Sequence, residues 1–169
     1  INSSSAIDIN STTIALTGNN SKMIRYASNI KVSVNASAQN SASISSITVN
    51  GNNVSNGEIT FLGSSTNSFT IVVTDSRGYS TTHNLTMEMV DYIPLSINAN
   101  IVRNQPTDGK IKISYSGNYF NGSFGAVNNS LTVQYRAIEK GGSWNDVQWT
   151  SLNPTKSGNT YSQNNYVVE

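Results

Sequence analysis

The sequence predicts an all-β protein built as two tandem antiparallel β-sandwiches, and three observations lead to this. Ser, Thr and Asn together supply roughly 40% of the chain, far above their usual share. Charged residues make up only 11% and hydrophobic residues 36%, which is too little to fill long amphipathic helices. Apolar residues alternate with polar ones at a period of two in several short runs, as half-buried strands require.

The first half of the chain contains a series of these runs. Residues 12–16 and 22–26 are half-apolar, flank a Gly-Asn-Asn-Ser turn, and predict two edge strands. Residues 30–36 alternate strictly and form the clearest strand pattern. Asn50-Gly51 then predicts a tight hairpin after an apolar run at 44–49, because both residues tolerate positive φ angles.

The same half continues with a short strand at Ile59 and Phe61 and then a second predicted hairpin. Residues 69–73 alternate into the turn Thr74-Asp75-Ser76-Arg77-Gly78, and a polar-apolar run follows from Tyr79 to Met89. Asp75 can accept backbone N–H bonds and Gly78 can adopt the left-handed conformation that returns the chain. The total of about seven strands is typical of an immunoglobulin-like sandwich over residues 1–92.

A second domain is predicted over residues 93–169. Pro94 cannot donate to a central ladder, and the short connection without a Gly/Ser tract predicts a stiff linker. Alternation restarts at Ile97, Ala99 and Ile101, turns at Asp108-Gly109, and resumes around 111–115, 131–135, 149–152 and 161–166. About five strands predict a fibronectin-III-like or immunoglobulin-like sandwich that is truncated or open-edged.

Charge and composition exclude several function classes. A formal net charge of +1 without a basic tract argues against binding to nucleic acid or acidic membranes. The absence of Cys excludes disulfides and thiol chemistry, and no apolar run approaches the roughly 20 residues that would insert into a membrane. Because the chain begins at Ile1 without a leader pattern and ends within a strand pattern, we expect it to be an internal piece of a longer polypeptide.

The chemically capable residues do not form a recognisable catalytic or metal-binding pattern, so we predict no enzyme activity, no metal and no cofactor. His83 is the single histidine and lies in a polar strand pattern, which favours a solvent-facing side chain. The carboxylates include Glu88 with Asp91, and the isolated Asp8, and they match no calcium-loop spacing.

Aromatic residues in the second half suggest the one binding hypothesis. Tyr119, Phe120, Trp144 and Trp149 could converge and stack on the rings of a cell-wall saccharide. Sandwich domains commonly bury a tryptophan, so packing of these residues in the core is the favoured interpretation. Exposure of Trp144 and Trp149 on a concave surface would favour saccharide binding, and burial of both would exclude it.

Several of these segments together resemble a known family. The sequence is similar to the immunoglobulin-like repeats of minor structural proteins from phages with long non-contractile tails. The similar segments are structural turns and core positions across most of the chain: 74–80, Tyr92-Ile93-Pro94, Gly109-Lys110-Ile111, 115–125, 131–136 and 141–144.

The resemblance implies a setting and an architecture, and it carries no active site. It implies a virion protein of the tail tip or tail fibre of a phage that infects a Gram-positive host, outside the cell. The implied partners are other tail proteins or copies of the same chain. Host cell-wall polysaccharide is the alternative partner, and the immunoglobulin-like stalk of a bacterial adhesin is a third interpretation.

Overall fold

The predicted all-β fold is confirmed. A computed structural model describes residues 1–168, with Asp146 described by its backbone alone. Of the chain, 48% lies in strands and 5% in helix. The chain divides into two compact units: unit 1 comprises Ile1–Tyr92 together with Ser123–Asn128, and unit 2 comprises Ile93–Gly122 and the residues from Asn129 onward.

Unit 1 contains nine strands and one short helix. In chain order these are β1 (Ser3–Asp8), α1 (Ser11–Thr17), β2 (Lys22–Ile24), β3 (Ile30–Asn35), β4 (Ile44–Val49), β5 (Asn52–Asn53), β6 (Glu58–Phe61), β7 (Ser68–Asp75), β8 (Ser80–Thr86) and β9 (Glu88–Val90). The strands form a three-stranded sheet in the order β1-β3-β6 and a four-stranded sheet in the order β5-β4-β7-β8. The remaining pair, β2 and β9, is parallel, in contrast to the antiparallel ladders of both sheets.

The two sheets of unit 1 share one apolar core. On β3 the predicted alternation holds, because Ile30, Val32 and Val34 are buried while the residues between them are not. On β7 the buried residues are Phe69, Ile71 and Val73. These side chains belong to one hydrophobic cluster, and burying each contributes about 1.5–3 kcal/mol.

Both hairpins predicted in unit 1 are present. Asn50 and Gly51 have φ angles of 49° and 78°, the left-handed values that a tight turn between β4 and β5 requires. In the second turn, the Asp75 carboxylate accepts the backbone N–H groups of Arg77 and Tyr79 at 2.8 and 3.1 Å. The Arg77 guanidinium also donates to this carboxylate and is the main reason that the pKa of Asp75 lies below its usual value.

The edge strand predicted over residues 12–16 is wrong, because this segment forms α1. The Asn10 side chain accepts the Thr12 backbone N–H at 3.1 Å and caps the amino end. Gly18, at φ 83°, ends the helix and donates its N–H to the Ile14 carbonyl at 2.8 Å. Local capping therefore overrides the strand preference of the threonines.

A buried carboxylate joins α1 to the sheet. Asp8, at the end of β1, is 1% exposed. One of its oxygens accepts the hydroxyls of Thr13 and Ser28 at 2.5 and 2.6 Å. The other accepts the backbone N–H groups of Asn10 and Asn29 at 2.9 and 3.1 Å. Four donors from the helix and from the loop before β3 thus satisfy a charge that burial would otherwise make costly.

The segment Ser123–Asn128, which the sequence places in the second domain, belongs by its contacts to unit 1. Ala126 donates its backbone N–H to the Leu16 carbonyl at 3.0 Å, satisfying one of the unpaired acceptors at the carboxyl end of α1. Gly125 approaches so closely that a Cβ on it would lie 2.6 Å from the Thr17 carbonyl oxygen. The Phe124 ring lies 6.0 Å from that of Tyr92.

Unit 2 contains six strands among the described residues. They are β10 (Asn98–Arg103), β11 (Ile111–Asn118), β12 (Val133–Tyr135), β13 (Thr150–Leu152), β14 (Thr155–Ser157) and β15 (Thr160–Val168), with a 3₁₀ turn at Trp144–Asp146. Four strands form a sheet in the order β10-β11-β15-β14, and β12 and β13 form a separate ribbon. The apolar faces of sheet and ribbon meet in one cluster that includes Ile113, Tyr115, Tyr161 and Leu152.

The outer strand β10 forms where its alternation predicts, yet all of its residues are exposed. Ile101 lies opposite Ile113 in the ladder, but Ile101 is 61% exposed and Ile113 only 8%. The cluster of unit 2 therefore covers β11 and leaves β10 uncovered.

Replacing the buried carboxylate is expected to destabilise unit 1. Asp8→Ala leaves two hydroxyls and two backbone N–H groups without their acceptor, so the free energy of unfolding should fall by about 3 kcal/mol or more. Urea unfolding followed by circular dichroism measures this change. Glu58→Ala, which removes an exposed carboxylate paired with Lys31, is the matched control and should leave the midpoint near that of the wild type. Equal midpoints for Asp8→Ala and the wild type would contradict the assigned role.

Candidate functional site

The ribbon of unit 2 has an apolar inner face and a polar outer face. Val133 and Tyr135 on β12 alternate with Gln134, and Val133 lies opposite Leu152 on β13. Gln134 lies opposite Ser151 and donates its side-chain amide to the Ser151 hydroxyl at 3.3 Å. Arg136 directly follows β12, two positions after Gln134, and is exposed.

Arg136 lies close to both tryptophans of the chain. Its guanidinium carbon is 5.1 Å from the centroid of the Trp144 ring and 4.8 Å from that of Trp149. A guanidinium at these distances from an indole is held by cation–π attraction. We call Arg136, Trp144 and Trp149 the aromatic-arginine cluster.

A compact loop brings Trp144 to this position. Gly141, at φ 89°, and the Gly142 N–H bond to the Glu139 carbonyl at 3.0 Å reverse the chain after β12. Gly142 is tightly placed, because a Cβ on it would lie 2.6 Å from Ile138 Cγ1. The 3₁₀ turn then begins at Trp144, and the chain reaches Trp149 directly before β13.

The expectation that the tryptophans are core residues is wrong. Trp144 is 49% exposed and Trp149 is 57% exposed. The buried cluster of unit 2 contains three tyrosines and three aliphatic residues instead: Tyr115, Tyr119, Tyr161, Ile113, Leu152 and Val168. The pKa values of Tyr115 and Tyr161 are raised because these phenols are buried.

The four residues proposed from the sequence as saccharide contacts do not act as one group. Tyr119 is 4% exposed and its ring lies edge-on to Tyr161 at 6.0 Å, so it is a core residue and is not available to a ligand in solvent. Phe120 is half-buried, with its ring against Gly122. Only Trp144 and Trp149 are brought together and exposed.

Arg136 is the member of the cluster that the sequence analysis missed. The apolar-polar alternation of Val133, Gln134 and Tyr135 continues in the sequence with Arg136, and this is the signal that could have revealed it. Its guanidinium makes no hydrogen bond or ion pair with any side chain that the structure describes. Its contacts with the Trp144 and Trp149 rings are cation–π contacts. The edge of the guanidinium, which bears the N–H donors, is therefore open to a ligand.

The other titratable residues considered from the sequence include His83, Glu88 and Asp91. His83 is exposed on β8, as the sequence predicts. Glu88 and Asp91 pair with Lys22 and Arg25 at 2.6 and 2.7 Å. Within residues 1–168 no group of three or more His, Cys, Asp or Glu side chains is arranged to hold a metal ion.

The described chain contains no helix that is long and apolar enough to cross a membrane. Comparisons with protein-family models, with curated proteins and with solved structures find no match to this chain.

Intrinsic fluorescence provides a direct test of the cluster, since Trp144 and Trp149 are the only tryptophans. We expect acrylamide to quench the folded chain nearly as strongly as the urea-unfolded chain, because both indoles are about half exposed. Trp144→Phe and Trp149→Phe separate the two signals. Strong protection of either indole in the folded chain would contradict the described surface.

Proposed function

We propose that the chain is a non-catalytic structural module of a phage tail-tip or tail-fibre protein, contributing to tail assembly and host attachment. The sequence resemblance in the turns and core positions supports the setting. The observation that carries the proposal is the outer surface of unit 1, where Ser80, Thr81, Thr82, His83 and Asn84 on β8 are all exposed.

A surface of this kind suits a spacer. Its hydroxyl and amide groups hydrogen-bond to water without attracting polyions, and the net charge of +1 adds little long-range field. The two sheets of unit 1 enclose a continuous apolar cluster, which stabilises a chain that has no cysteine and therefore no disulfide. The module would thus separate other parts of a longer chain while remaining soluble.

Immunoelectron microscopy tests the structural proposal. Antibodies raised against residues 1–169 should label the tail tip or fibres of virions whose genome encodes the chain. Antibody pre-absorbed with the purified chain is the control and should label nothing. Labelling confined to the capsid, or unlabelled tails, would overturn the proposal.

A second candidate function is binding of host cell-wall carbohydrate through unit 2. The exposure of Trp144 and Trp149 favours it, since indole faces stack on the apolar faces of sugar rings. Gln134 and Ser151 are exposed, lie opposite each other on the ribbon, and offer amide and hydroxyl groups to sugar hydroxyls.

Cell-wall pull-down tests this candidate. Walls purified from Gram-positive bacteria should bind the wild-type chain saturably, and Trp144→Ala and Trp149→Ala should each weaken binding at least about tenfold, since each removes one stacking face. Tyr79→Ala, which removes an exposed aromatic of unit 1, is the matched control and should bind like the wild type. Unchanged binding by both tryptophan variants, with folding verified by circular dichroism, would exclude the cluster as the site.

A further inference from the structure

We propose that the aromatic-arginine cluster selects an acidic saccharide, one that carries a carboxylate or a phosphate group, and that Arg136 is the selecting residue. The inference rests on the carbohydrate-binding candidate and adds the chemical class of its ligand. It starts from the contact of the Arg136 guanidinium with both indoles, which the saccharide hypothesis for the tryptophans did not include.

The guanidinium can contact the two indole rings and still donate hydrogen bonds through its N–H groups. The two indole rings attract its charge, with their centroids 5.1 and 4.8 Å from the guanidinium carbon. An arginine held in this way keeps its planar fork of N–H donors, which matches the two oxygens of a carboxylate or a phosphate. No described side chain supplies those oxygens, so an anionic ligand group is the complementary partner.

The contact with two rings also prepares the arginine for binding. A free arginine side chain loses considerable rotamer entropy when it is fixed by a ligand, and this loss weakens binding. Arg136 already contacts Trp144 and Trp149 before any ligand arrives. Less entropy therefore remains to be lost when the acid group binds.

The surroundings favour a sugar acid over a nucleic acid. The charged residues between Arg136 and β13 in the sequence are Glu139, Lys140 and Asp146, so this segment adds no net positive charge. Recognition of a phosphate backbone depends on several cations in a row, which this face does not offer. A single arginine beside two indoles and the Gln134–Ser151 pair fits a saccharide with isolated acid groups.

The experiment measures binding of the full chain to purified Gram-positive cell walls. Arg136→Gln should bind about tenfold more weakly, the size of one lost charge-assisted contact. Arg103→Gln removes the same charge from an exposed arginine on β10 and should bind like the wild type, which separates local recognition from general attraction. Arg136→Lys keeps the charge without the planar fork and should fall between the two.

Chemical treatment of the walls identifies the acid. Carbodiimide amidation neutralises wall carboxylates, and cold hydrofluoric acid cleaves the phosphodiesters. Loss of wild-type binding after amidation would identify a carboxylate as the ligand group. Loss after hydrofluoric acid would identify a phosphate.

Three results would overturn the inference, and they are distinguishable. Equal binding by Arg136→Gln and the wild type, or wild-type binding that survives both treatments, removes the acid selectivity and leaves the carbohydrate-binding candidate standing. Absence of wild-type binding to untreated walls would contradict both the acid selectivity and the carbohydrate-binding candidate. Circular dichroism of each variant confirms that a loss of binding is not a loss of folding.

Discussion

The buried carboxylate of Asp8 is the constraint on which unit 1 depends. A charge that is 1% exposed is tolerated only when hydrogen bonds replace its water, and here four donors do so. Those donors come from the start of α1 and from the loop before β3, so the carboxylate connects the end of β1 to both. Loss of either element would leave the buried carboxylate with fewer donors, which couples the stability of the three segments.

The two units meet the need for a core in different ways. Unit 1 uses aliphatic side chains and phenylalanine from two facing sheets, with Phe69 and Ile71 fully buried. Unit 2 relies on tyrosines, whose hydroxyls reach polar partners: Tyr115 donates to the Gln163 side chain at 2.7 Å and Tyr161 to the Ser96 carbonyl at 2.8 Å. Neither indole belongs to this core; both are about half exposed and contact Arg136.

The sequence predicted what depends on short-range pattern and missed what depends on distant contacts. Period-two alternation located β3 and β7, and the left-handed preferences of Asn50-Gly51 and Gly78 located the hairpins. The same pattern placed a strand at 12–16, because the caps at Asn10 and Gly18 were not weighed against it.

The burial of Tyr119 and the exposure of Trp144 depend on which residues fill the other side of the core, and composition does not carry that information. Arg136 was missed because its role arises from two rings that lie 8 and 13 positions further along the chain.

The contribution of Ser123–Asn128 to unit 1 bears on the order in which the chain acquires its structure during synthesis. A ribosome releases β1 to β9 first, yet the backbone N–H of Ala126 that satisfies the Leu16 carbonyl follows only after Ile93–Gly122, residues that belong to unit 2. Until then the Leu16 carbonyl lacks this donor. Unit 1 is thus a domain that acquires its last segment only after part of unit 2 has been translated. Its boundary in the gene therefore differs from its boundary in space.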